Sequence, residues 1–370
     1  MRISLYRAMT AGVIGLGIAL PSSAVGGLFT PDPVGDVRGL LARMPAPAWT
    51  ADLAGFFVID IARLRDSLGL TWPDAWPERG EGGALMQVYS HMPMMPRALA
   101  RLRFDLRVDP LAEIGASTVD VDGVAEIGVF TVDNEVTVLF GDDLADPGRI
   151  AAAIVPLSES SQEIDGPRVW TVHGSEAPDA LRGSRLAISP PNLLGFVGDD
   201  FPVAPFSDAL AGDGPILADL LQVTALLDAV DGPSWPEDGL IAVWGGHPGS
   251  LPSLRDGWPA DSALPEYEVF AIALRHDAGE AVGLLALVYD DVEAAAQAVV
   301  EMSARAPRIA EMAGIEPGAV TVAVSADNRL TVLIEARGPL PATERDVRNS
   351  PFVAWTTRML HLGDFRPILP

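Results

Sequence analysis

The chain has 370 residues, 49% of them hydrophobic, and carries a net charge of −25 from 50 acidic against 25 basic residues. That apolar content exceeds what a disordered chain carries and predicts packed cores, while the acidic field repels phosphate backbones and argues against nucleic acid as a partner. There is no cysteine and every basic residue is arginine, which excludes disulfides, thiolate metal sites, Schiff-base chemistry and lysine phosphate loops.

In chain order, Arg2 and Arg7 precede an uncharged apolar run at 8–20, then Pro21 and the small residues Ser22-Ser23-Ala24. A membrane helix needs about 20 apolar residues, so this shorter run reads as a signal peptide over 1–24. It predicts a periplasmic or secreted protein with no membrane span after cleavage. Without cysteine, a lipid anchor at the cleavage site is excluded. Residues 55–60 (GFFVID) read as a strand, and 68–122 as an insertion with a helix over 84–104. Next, 126–132 (EIGVFTV) and 135–140 (EVTVLF) flank Asp133-Asn134, a two-residue hairpin turn. Asp146-Pro147 opens a helix with Ile150, Ile154 and Leu157 on its apolar side. Strands follow at 168–173 and around 186–197, the latter interrupted by Pro190-Pro191, and a helix covers 216–230.

Residues 231–265 are crowded with Pro, Gly and Trp and read as a join, with a strand at 239–244. Beyond it, 268–275 (EVFAIALR) and 282–289 (VGLLALVY) form a hairpin around 276–280. Asp290-Asp291 caps a helix through Val292, Ala296, Val299 and Val300. Strands at 320–325 and 329–335 and a helix at about 351–362 complete the chain. The order strand, strand, helix, strand, strand, helix therefore occurs twice. The expected fold is α+β, with two tandem repeats (25–230 and 266–370) of mainly antiparallel sheet covered on one face by helices.

Several phrases carry a likeness: Leu41-Ala42-Arg43-Met44-Pro45 before the first strand, IGASTVDVD at 114–122, and VTVLFGDDLADPGRIAAAI at 136–154 followed by RVWTV and a late helix. Together they resemble exported bacterial proteins of unknown function that carry duplicated α+β domains. The resemblance spans most of the mature chain. It implies the duplicated fold and export, and carries no activity and no site.

Two constellations stand out chemically. Met86, His91, Met92, Met94 and Met95 fall within ten residues. Thioether and imidazole are soft ligands suited to Cu(I), the only ones open to a cysteine-free chain, so His91, Met92, Met94 and Met95 are candidate metal ligands. Pro93 and Pro96 break the helix there, and methionine is also an adaptable core filler. Trp235, Trp244 and Trp258, around the join, are either a binding surface or glue between the halves. Asp142, Asp143, Asp146, Asp290 and Asp291 sit where strands turn into helices; their recurrence favours capping over cation binding. The five histidines form no H-E-x-x-H pair, and neither a nucleophile elbow nor a dinucleotide fingerprint is present. The reading is an exported, non-catalytic binding or scaffold protein whose partner is another exported protein or an apolar ligand. Its alternatives are copper binding through the Met/His cluster and carriage of a hydrophobic ligand. No cofactor is implied.

Overall fold

The computed structural model describes residues 35–46, 55–77, 82–93, 95–103, 107–128, 136–142, 144–154, 160–163, 168–171, 184–189, 192–198, 201–236, 239–248 and 264–361. The leader expected over 1–24 and the turn expected at Asp133-Asn134 lie outside these residues. A short helix α1 (Val37–Leu41) begins at Asp36, whose carboxylate accepts from the Gly39 amide at 2.6 Å. Strand β1 (Phe56–Asp60) runs straight into α2 (Ile61–Ser67), because Asp60 ends the strand and accepts from the Arg63 amide at 2.8 Å. Helix α3 (Gly83–Tyr89), strands β2 (Gly123–Ile127) and β3 (Val136–Phe140) and helix α4 (Pro147–Ile154) follow. Four strands come next: β4 (Ser160–Glu163), β5 (Arg168–Thr171), β6 (Ser184–Ser189) and β7 (Leu193–Gly198). Helices α5 (Val203–Ala211) and α6 (Leu221–Asp231) lead to β8 (Leu240–Gly246), β9 (Val269–Asp277) and β10 (Glu280–Val288). The long helix α7 (Val292–Ala313), strands β11 (Val320–Val324) and β12 (Thr331–Pro339), helices α8 (Glu344–Val347) and α9 (Pro351–Thr356), and a π-helical turn at Thr357–His361 finish the described chain.

The twelve strands among the described residues join one antiparallel sheet in the order β11-β12-β10-β9-β8-β1-β2-β3-β7-β6-β5-β4. The fold is α+β. At its middle β1 pairs with β8, setting Phe56 opposite Gly245 and Ile59 opposite Ala242. Reading outward from that pair, β1-β2-β3-β7-β6 on one side follows the same succession as β8-β9-β10-β12-β11 on the other, and β5 and β4 extend the first.

Helices cover both faces of this sheet, where one-sided cover was expected. Phe57, Ile59, Phe270, Ile272 and Leu274 pack with α2, α3, α4, α7 and α9 on one side. Phe56, Val58, Ala271, Ala273 and Leu284 pack with α1, α5 and α6 on the other. The central strands are consequently buried at every position, β1 and β8 throughout and β10 past its first residue. Strands with two buried faces read as continuous apolar runs rather than alternating ones.

Other expectations shift in detail. The helix read over 84–104 breaks after Tyr89 and resumes as a 3-10 turn at Arg97–Arg103, with Pro93 and Pro96 between. The segment read around 186–197 is two strands, β6 and β7, paired with Ser189 opposite Leu193. Strand β4 and helix α5 were not read at all. In α7 the buried stripe is Ala295, Ala298, Met302 and Ile309, whereas Val292 and Val300 are 55% and 68% exposed.

One buried charge ties elements together. Arg275 on β9 is fully buried and donates to Val230 O at 2.9 Å, Asp231 Oδ1 at 2.8 Å and Pro236 O at 2.6 Å. Its guanidinium lies 5.1 Å from the Trp235 ring centroid. The end of α6 and the chain after it are thus held to the sheet by charge-assisted bonds.

Candidate functional site

The methionine-rich stretch forms one wall of a cleft of about 670 Å³, closed on its other sides by the end of α7 and by α8 and α9. Met86, Met92, Met95 and Met312 line it together with His91, and Arg348, Arg358, Glu311 and Glu344 also border it. Helix α3 stops at Ser90, whose hydroxyl donates back to Met86 O at 2.6 Å. The next amide, His91 N, reaches Val88 O at 3.0 Å and turns the chain inward. Met92 is buried beneath this turn, and Met95 is half-buried against the same core. Met94 lies outside the described residues.

His91 is fully buried, and the fold brings a second histidine to it that the sequence reading did not single out. His276 stands on β9 on the same side as Phe270, Ile272 and Leu274, and its ring centroid is 6.5 Å from that of His91. A hydrogen bond fixes the tautomer of His91. His91 Nδ1 lies 3.0 Å from Gln87 O, and a carbonyl only accepts, so Nδ1 carries the proton. Ser67 Oγ lies 2.9 Å from Leu64 O and 2.6 Å from His276 Nδ1, so it anchors the His276 ring to the end of α2. His91 Nε2 is left with a bare lone pair. Both Nε2 atoms are buried without a hydrogen-bond partner.

Such a pair is expensive to protonate. Burial pushes His91 down to about 4, and burial together with the neighbouring His91 pushes His276 down to about 3. Both rings are therefore neutral at neutral pH. Among the described residues no group of three or more His, Asp or Glu is placed to hold a metal ion. An ion here would rest on imidazole and thioether. His276 was hidden because it lies far from the Met/His stretch in sequence; its one signal was its place in the inward-facing row of β9.

The other described candidates take part in packing and helix capping. Trp244 corrects the expectation of a displayed surface: it is fully buried and packs edge to face on Phe270, centroids 5.3 Å apart. Trp235 is half-buried, donates to Ala229 O at 2.8 Å and covers Arg275. Trp258 lies outside the described residues. Asp146 accepts from the Gly148 and Arg149 amides at 2.8 Å each, and Asp291 from Ala294 at 2.9 Å, both at the start of a helix. Asp142 and Asp290 are exposed beside them, and Asp143 lies outside the described residues. The phrase IGASTVDVD is pinned by a carboxylate that the sequence reading passed over. The buried Asp109 accepts from the amides of Leu111 and Thr118 and from the hydroxyls of Ser117 and Thr118 at 2.5 to 3.1 Å.

No family model matches this chain, and no curated protein matches it. Among solved structures it is weakly similar to crystal forms of the Treponema protein TP0453. Form I is 10% identical over 84% of this chain and 97% of that one, with a TM-score of 0.37. Form III is 10% identical over 88% and 98% (TM-score 0.39), and form IV 12% over 79% and 95% (TM-score 0.37). Among the described residues no helix is long and apolar enough to cross a membrane.

Proposed function

We propose that this chain is an exported, non-catalytic binding protein whose methionine-lined cleft takes a small apolar ligand. The observation that carries the reading is the cleft itself. Its volume of about 670 Å³ falls within the range of small-molecule pockets, and four thioethers supply a polarizable, adaptable wall. Mass spectrometry of an organic extract of the purified protein tests this, with a fluorescent apolar probe as the second readout. A bound ligand, or probe binding weakened at least tenfold by Met312→Glu, supports the reading. An empty extract together with no probe binding ends it.

Export rests on the leader-like composition of residues 1–24. N-terminal sequencing of the exported protein is expected to begin at Val25, and a cytoplasmic chain retaining Met1 would refute it. The two halves we read as a duplication, supported by the matching strand succession on either side of the β1–β8 pair. Superposing the five strands around β1 on the five around β8 should bring α4 onto α7; failure to superpose removes the duplication.

A further inference from the structure

We propose that His91 and His276 form a two-nitrogen site for a single soft monovalent metal ion, Cu(I), reached through the methionine-lined cleft. This is separate from the apolar-ligand reading and does not depend on it.

Three observations converge. First, both Nε2 atoms are buried and have no hydrogen-bond partner, and that of His91 carries a bare lone pair. A buried polar atom left without a partner is costly, and two such atoms on neighbouring rings share one explanation if a cation sits between them. Second, the spacing fits. An ion with a nitrogen about 2.0 Å away on either side holds its two donors about 4 Å apart. Ring centroids 6.5 Å apart leave room for two ring-edge nitrogens at that separation. Two-coordinate binding of this kind suits Cu(I) and not Zn²⁺ or Mg²⁺, which need four or six donors. Third, the surroundings are soft. His91 shares its cleft with Met86, Met92 and Met95, and the chain has no cysteine to compete for the ion.

The supporting hydrogen bonds make the site preorganised. Gln87 O holds His91 from behind, and Ser67 holds His276, each through Nδ1. Such outer partners orient ligating imidazoles and raise their basicity.

Anaerobic titration of the purified protein with Cu(I) against a chromogenic chelator tests the proposal. One equivalent is expected to bind with sub-micromolar affinity. His91→Asn and His276→Asn each place an amide nitrogen where Nδ1 was and remove Nε2, and each should weaken binding at least tenfold. X-ray absorption of the wild-type complex should show two nitrogen scatterers, a readout that survives if either variant fails to fold. Affinity weaker than micromolar, affinity unchanged in both folded variants, or a shell of sulfur alone would each overturn the site. Loss of apolar-probe binding with copper binding intact would leave this proposal standing and remove only the other one.

Discussion

At the scale of single residues, the buried titratable groups give this protein a pH signature. The unfolded histidines titrate near 6.5, whereas folding lowers His91 to about 4 and His276 to about 3. Between these limits the unfolded chain binds protons that the folded one refuses, so stability is complete above pH 6.5 and falls as pH drops. Each ring withdraws about 3 kcal/mol by pH 4. Asp60 works in the opposite sense. Burial raises it to about 6, so its folded carboxyl keeps a proton that the unfolded chain releases above 3.8, and acid returns about 2 kcal/mol. These three groups together should therefore withdraw about 4 kcal/mol between pH 7 and pH 4, read by urea unfolding as a loss that is smaller in His276→Asn. A midpoint that does not move with pH would contradict two neutral buried imidazoles.

At the scale of elements, caps and turns were the most legible features. Asp291 was readable as the start of α7 because a short acceptor before a helical stripe is a local signal. Asp291→Ala should cost about 1 kcal/mol by thermal unfolding. The β9–β10 hairpin was placed correctly around 276–280, and its turn proper is Ala278-Gly279, both with positive φ (51° and 87°). A two-residue turn of that type wants Asn-Gly, and alanine there is strained. Ala278→Asn is expected to raise stability by about 0.5–1 kcal/mol, seen as a higher urea midpoint at unchanged slope. Helix phase was less legible. The valines of α7 suggested one stripe, yet Val292 and Val300 face water while alanines and Met302 face the sheet. Small residues suit a helix lying close to a sheet, and hydrophobicity alone ranks them too low to mark that face. Helix α5 escaped notice because Pro202 and Pro205 frame its first turn and look like breakers, although proline is tolerated there.

At the scale of the whole molecule, residues 32–370 form one compact unit through the β1–β8 pair. The halves share a sheet and two continuous apolar layers, so calorimetry should show a single cooperative transition whose calorimetric and van't Hoff enthalpies agree. Two separate transitions would mean that the halves fold independently.

The sequence by itself determined the α+β class, most strands and helix starts, and the soft character of the Met/His stretch, because these follow from local spacing and side-chain chemistry. Only the tertiary structure decided that one sheet runs through both halves with helices on either face, that Trp244 is core, and that His276 meets His91. Those outcomes depend on which strand edges pair, and pairing between residues far apart in the chain leaves no mark on either one alone.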